Sequence, residues 1–557
     1  MTKLEKHSPM SVLARQLIIV LFIGFAGSST AFAQNGSAFF SPGNLVVSRS
    51  VYEDTGSIVA GVTTLPPNCV VTSGSCPPAT AVSDGTYPFV WNNDSVDASF
   101  GVTSVIFLDQ ITPAGALVNT LEVPNSSQNG VPPTKDQMVT SFSSKSEIAL
   151  NLSTDHNYLT FMGYLAPVGA VDVSNANTAG AVDPTNPVGE NVYRVVAQVD
   201  VKGKFKFTAT NAYSGNNGRA AILNNSGGAN VVYTSGNAGN GGNPQPDSII
   251  TGTGMQILTP EVKALVAQDP GDTTPLGSFN ITQLGDAADK IGKDTNFRGL
   301  TIFDNVIYTS KGSGSNGVNT VYFIDSTGTV CNSSKGVGLP ASGATLPTAG
   351  IVYDPNPSVI QAQGVVPYNM CVLNGFNTKT AKKTTNVFPF GIWFANPTTM
   401  YVADEGNGTA TFSSTTMTYT AAAAQTTAGL QKWVLESGVW VHVYTLQAGL
   451  QLGVPYTVAG YPTGDNPATG LPWSPATDGL RNITGSVSED GTTATIYAIT
   501  STVSGNGDQG ADPNKLVVIT DNVAATTLPP AETFTTLKAA GNLEVLRGVS
   551  FTPGTGN

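Results

Sequence analysis

Short runs of alternating apolar and polar residues fill most of the chain, and one phrase built on them recurs with variation. It is clearest as FRGLTIFDNVIYTSKG from Phe297 and FGIWFANPTTMYVADEGNG from Phe390. A period of two, rich in β-branched and aromatic residues, predicts half-buried strands, and recurrence over tens of residues predicts a repeat architecture. Each repeat reads as inner strand, tight turn, second strand, longer loop, third strand, turn and outer strand. That is one four-stranded blade of a β-propeller. The inner strands align from Glu147, Arg219, Arg298, Phe390, Arg481 and Arg547, roughly 65 to 95 residues apart, which is long for a blade and implies insertions. The fold class is therefore all-β: a single propeller of about six four-stranded blades. The stretch from Cys331 to Thr385 leaves room for a degenerate seventh.

The two ends of the chain complement each other. GNLVVSRSV and VIFLDQITPAGALVNTLEV near the N-terminus read as middle and outer strands without an inner one, whereas LEVLRGVSFTP at the C-terminus is an inner strand without a blade. Sharing one blade would close the ring and leave no open sheet edge. Residues 34–557 are read as one domain.

The long insertions share a position in the repeat. The segments from Glu53 to Gly101, Pro167 to Asn191, Ser235 to Asp247, Gly312 to Val318, Asp404 to Gly429 and Thr502 to Asn514 all fall between a second and a third strand. In a propeller those connections emerge on the face where the inner strands start. One face is thus expected to be elaborated and the other trim, and per-repeat insertions on one face mark a binding surface.

Composition supports the strand reading. Charged residues are 11% of the chain, with 61 Gly and 35 Pro, which argues against long surface helices and for strands joined by turns. The net charge of −12, without a Lys/Arg cluster, repels phosphate backbones and excludes nucleic acid as the expected partner. The first residues carry Lys3, Lys6 and Arg15, an apolar run from Leu17 to Phe25, and Ala31-Phe32-Ala33. This is the pattern of a signal peptide over residues 1–33, cut between Ala33 and Gln34. The expected product is an exported, periplasmic or extracellular monomer with no membrane span after cleavage. Export favours disulfides, and the four cysteines suggest two local pairs, Cys69 with Cys76 and Cys331 with Cys371.

The repeat from Phe390 carries Met400-Tyr401-Val402-Ala403-Asp404-Glu405-Gly406-Asn407, followed after about two dozen residues by Leu430-Gln431-Lys432-Trp433-Val434. In this phrase it resembles an NHL-type propeller blade, a resemblance that implies fold and not ligand. In that family a basic residue follows the Gly-Asn loop almost at once, and the insertion here departs from the pattern.

Candidate chemistry is sparse. Arg219, Arg298, Arg481 and Arg547 stand at inner-strand starts, near the channel mouth of the elaborated face, and four guanidiniums around an axis could hold a carboxylate or another anion. The competing role is structural, capping carbonyls or pairing with carboxylates of the next blade, with Asp404 and Glu405 as candidate partners. Only His156 and His442 follow the signal segment. The first sits in a polar turn, and the second alternates with Trp440 and Tyr444 as a residue expected to pack between blades. No G-x-S-x-G, S-x-x-K or C-x-x-C-H occurs, and the glycine-rich Gly312–Gly317 leads into a strand rather than a helix, so no dinucleotide site is expected. Catalytic residues are not assigned and no cofactor is identified. Calcium stays open through Asp/Asn-rich turns at Asp269–Asp272, Glu489–Gly491 and Gly507–Asp512. The leading expectation is an exported binding or scaffold propeller engaging a protein, glycan or small anionic ligand. The alternatives are a calcium-assisted hydrolase or lactonase-like enzyme at the channel mouth, and a surface-layer or matrix component.

Overall fold

A computed structural model describes residues 38–556. The longer undescribed internal stretches are 66–78, 82–100, 262–274 and 352–368, alongside several of one to five residues. Six antiparallel sheets form a six-bladed propeller, each a meander of four principal strands because period-two segments are joined by turns that reverse the chain. From the inside outward, blade 1 runs Glu544–Phe551, Leu45–Val51, Thr103–Ile111, Leu117–Glu122. Blade 2 runs Asn151–Leu152, Tyr158–Tyr164, Arg194–Asp200, Phe205–Thr210, and blade 3 runs Gly218–Asn224, Val231–Gly236, Gly254–Leu258, Pro275–Gly277. Blade 4 is Leu300–Phe303, Val306–Lys311, Thr320–Ile324 and Met370–Leu373, with the short parallel strand Val337–Gly338 on its edge. Blade 5 is Pro389–Asn396, Thr399–Asp404, Gly429–Glu436, Val439–Leu446; blade 6 is Ala476–Val487, Thr493–Val503, Lys515–Asn522, Thr535–Ala539.

The C-terminal strand Glu544–Phe551 lies antiparallel to Leu45–Val51, with Leu45 opposite Phe551 and Val51 opposite Glu544. Inner strands touch their neighbours from each blade to the next, and the spacing is close enough that glycine is required at the contact. A Cβ at Gly299 of blade 4 would sit 1.9 Å from the Phe390 carbonyl oxygen of blade 5, and one at Gly391 of blade 5 would sit 2.5 Å from the Arg481 carbonyl oxygen of blade 6. The inner strands therefore meet backbone to backbone, which brings the residues flanking these glycines onto the axis. Between blades the core is apolar: Phe394, Trp440 and Tyr308 pack where blades 4 and 5 meet, and Leu480, Ile496 and Val517 belong with Tyr401 and Leu446 where blades 5 and 6 meet.

Two expectations change. The stretch from Cys331 to Thr385 is not a seventh blade: its described part supplies the edge strands of blade 4 and the link to blade 5. The faces are also less one-sided than the repeat pattern suggests. All six second-to-third connections leave from the face where inner strands begin, whereas in blade 4 the third-to-fourth connection, between Ile324 and Met370, leaves from the opposite face. The Cys331–Cys371 disulfide ties that connection back to the outer strand. Cys69 and Cys76 lie outside the described residues.

Candidate site at the mouth of the channel

Arg219 is the second residue of the blade 3 inner strand, and Arg298 stands two residues before that of blade 4. Arg481 and Arg547 lie further in, because the strands of blades 6 and 1 begin earlier than the repeat alignment suggests, at Ala476 and Glu544. All four side chains are buried, between 4% and 8% exposed, so they belong to the ring's interior and not to its rim.

Their contacts follow the ring. Arg219 donates from Nη1 to Asn296 Oδ1 and, at 2.9 Å, to the carbonyl of Phe297, both on the approach to blade 4. Arg298 donates to Ser146 Oγ, ahead of the blade 2 inner strand and two blades away. Arg481 pairs with Glu405 through Nε at 3.2 Å, joining blade 6 to the end of the second strand of blade 5. Arg547 reaches Ser50 Oγ and the Ser141 carbonyl, each at 3.4 Å. Arg219 and Arg547 thus cap carbonyls, and Arg481 pairs with a carboxylate of the neighbouring blade.

Glu405 is the partner the sequence suggested, and Asp404 is not. Asp404 faces the other side of its strand, where it accepts from the backbone N–H of Phe388 at 2.9 Å and of Gly406 at 3.0 Å and from Gln431 Nε2 at 3.1 Å. Successive residues of a strand point oppositely, so two adjacent carboxylates cannot both face the axis. Asp478, three residues before Arg481, plays a similar anchoring role. It accepts from Gly408 N–H at 2.8 Å and Gln425 Nε2 at 2.6 Å, pinning both ends of the 405–428 insertion to blade 6.

The site also contains a carboxylate that sequence reasoning left out. Glu147 is 1% exposed and accepts from Tyr164 Oη, Asn217 Nδ2 at 2.7 Å, Thr140 Oγ1 at 2.8 Å and Ser141 N–H at 3.2 Å. The signal was present, since Glu147 occupies the repeat position that carries arginine in four other blades. Tyr164 and Asn217 had none, because nothing local separates them from ordinary strand and turn residues.

Burial and like charge make this an uneasy set of cations. Burial, then the neighbouring charge of Arg298, pushes Arg219 well below its ordinary value, against the pull of Glu147 and Glu405. Burial also lowers Arg298, with Glu405 opposing and Arg481 adding to the shift. An arginine does not give up its proton in a protein, so the cost appears as a demand for negative charge. The buried carboxyls of Glu147, Glu405 and Asp478 lie within electrostatic reach of these guanidiniums, and the Nε of Arg219 is buried with no hydrogen-bond partner among the described residues.

The remaining candidates lie elsewhere. His156, in a left-handed turn, meets the Thr555 carbonyl at 3.0 Å. His442 is exposed on the outermost strand of blade 5, not packed between blades: a bulge opposite Lys432 and Trp433 breaks the alternation with Trp440 and Tyr444. Of the oxygen-rich turns, Asp490 accepts from Ser488 and Thr492 in ordinary turn geometry, while Asp269–Asp272 and 507–509 fall outside the described residues. Among the described residues no three His, Cys, Asp or Glu side chains gather as a metal site would require.

The two anchoring aspartates give a pH dependence. Burial, reinforced by Glu405, pushes Asp404 up to about 7 and Asp478 to about 6, against the N–H donors that lower them. A carboxyl raised in the fold binds its proton more tightly there than unfolded. Its contribution is complete below about pH 4, the unfolded value, and is lost as pH rises through 6 for Asp478 and 7 for Asp404. Urea unfolding between about pH 4 and 8 is expected to show this part of the stability falling, on the order of a few kcal/mol. In Asp404→Asn the slope near neutral pH should flatten; an unchanged slope would show that Asp404 titrates normally.

The chain matches no family model and no curated protein. Among solved structures, two of an ulvan lyase described as a new family of polysaccharide lyase, PL25, one of them bound to -[GlcA(1-4)Rha3S]-, align with 86% of this chain and 97% of theirs. Identity is 10% and the TM-score 0.28, a likeness that carries no argument.

Proposed function

We propose that this propeller is a binding module that takes an anionic ligand, a carboxylate-bearing small molecule or glycan, at the channel mouth of its decorated face. The carrying observation is the group of four buried guanidiniums on or beside the inner strands, among them Arg219, whose Nε has no hydrogen-bond partner among the described residues, in a chain whose net charge is −12. A ligand carboxylate would offset the like charge of Arg219 and Arg298 and pair with guanidinium groups bidentately. The second-to-third connections surrounding the mouth supply contact surface on a rigid scaffold. A disulfide, and the lack among the described residues of a helix long and apolar enough to cross a membrane, accord with an exported protein. The calcium-assisted hydrolase has no comparable donor set among the described residues, and no specific observation favours it.

Calorimetric titration with citrate, glucuronate and sulfate is the test. At least one should bind with an affinity that falls as salt rises, and Arg298→Ala should weaken it by about tenfold or more while leaving the melting transition in place, as expected for loss of one charge-assisted contact. Absence of binding by all three, or equal binding by the variant, would retire the proposal.

A further inference from the structure

Away from the channel, where blades 5 and 6 meet, a lysine and an aspartate face each other in complete burial. Lys432 Nζ, on the third strand of blade 5, lies 2.9 Å from Asp521 Oδ2, on the third strand of blade 6, and both side chains are 0% exposed. Two tyrosines hold the carboxyl from blade 5: Tyr401 Oη donates to Oδ2, and Tyr444 Oη donates to Oδ1 at 2.7 Å. Lys432 is held in turn by the Tyr444 hydroxyl at 2.9 Å and the Asn522 carbonyl at 2.6 Å. A third acid, Glu532, approaches from the connection that follows Asp521. Its Oε1 accepts from Asn522 N–H at 3.0 Å, and its buried Oε2 meets no donor among the described residues. Both tyrosines belong to the apolar cluster between the two blades, with Leu430, Leu446, Leu480, Val517, Ile519 and Phe534.

We propose that Lys432 and Asp521 condense into an intramolecular isopeptide bond that covalently joins blade 5 to blade 6. The reactive form is the neutral pair, which the ion pair reaches by transfer of one proton from Nζ to Asp521 Oδ2 across the 2.9 Å contact. The Nζ lone pair then attacks Cγ and forms the C–N bond. The tetrahedral intermediate expels one carboxyl oxygen as water, breaking a C–O bond. Glu532 gives the departing hydroxyl its proton and is reprotonated from Nζ, so an amine and an acid yield an amide and one water with no oxidant or other co-reactant. Glu532 suits that role: burial and the neighbouring Asp521 carboxyl raise it to about 7, so it still carries a proton near neutrality. Tyr401 and Tyr444 are pushed above the ordinary tyrosine range by burial and by Asp521, which keeps both hydroxyls protonated as donors that polarise Cγ.

Proteolytic mapping of the purified protein by mass spectrometry, under reducing and denaturing conditions, tests this. The expected product is a branched species joining the segments around Lys432 and Asp521, lighter by one water than their sum, with no tryptic cleavage after Lys432. Recovery of both segments as separate linear peptides from the wild-type protein would overturn the bond, leaving an ordinary buried ion pair. That map decides the bond even where a variant folds poorly. In Glu532→Gln the branched species should be lost; its persistence at the wild-type level would overturn the part given to Glu532.

Discussion

Removing residues 544–557 is expected to abolish the cooperative fold. The strand Glu544–Phe551 is the inner strand of blade 1 and pairs along its length with Leu45–Val51. Deleting it exposes the core partners of Val545, Leu546 and Val549, each no more than 1% exposed, at roughly 1.5–3 kcal/mol per side chain. It also strands two buried amides. Asn514 exchanges hydrogen bonds with the Leu546 backbone at 2.8 and 2.9 Å, and Asn482 Oδ1 accepts from Val549 N–H at 2.6 Å. Each group left unsatisfied costs about 1–3 kcal/mol. The sum equals or exceeds the roughly 5–15 kcal/mol of net stability typical of a folded protein. Circular dichroism on the purified truncation should show no sigmoidal melting transition. A transition within a few degrees of the full chain would mean that blade 1 does not depend on its last strand.

Arg194→Ala is expected to destabilise the protein by about 3–5 kcal/mol. This side chain, at the start of the third strand of blade 2, is 0% exposed. Its guanidinium donates to the carbonyls of Val192 at 2.6 Å, Ser174 at 3.0 Å and Asn216 at 2.9 Å, and lies over the Tyr164 ring at 5.4 Å. Burial lowers it to about 9, with Glu147 opposing. Truncation would leave three carbonyls short of a donor, open a cavity, and loosen the ring that carries the Glu147 partner Tyr164. Lysine should recover only part of the loss, since one ammonium cannot reproduce a planar fork. Urea unfolding of both variants checks the ordering; equal stability of the alanine variant and the parent would refute it.

Much of this architecture is legible in the chain. Period-two alternation with recurring turns specifies strands whatever their tertiary setting, since a strand with one face buried tolerates no other pattern. That is why the inner strands around Arg219, Arg298, Phe390 and Arg547, and the pairing of the two chain ends, could be read from the residues. The Cys331–Cys371 bridge was legible because both cysteines flank one connection. Which side chains meet across blades was not. Glu405 and Asp404 are adjacent in sequence, and only the strand's facing sends one to Arg481 and the other to the backbone of Phe388. Lys432 and Asp521 carry no local mark that sets them apart from other polar strand residues. They meet because blades 5 and 6 pack face to face, and a bulge between Lys432 and Trp433 shifts the register there. Local periodicity decided the strands, whereas the curvature of the ring and the burial it imposes decided where charge gathers.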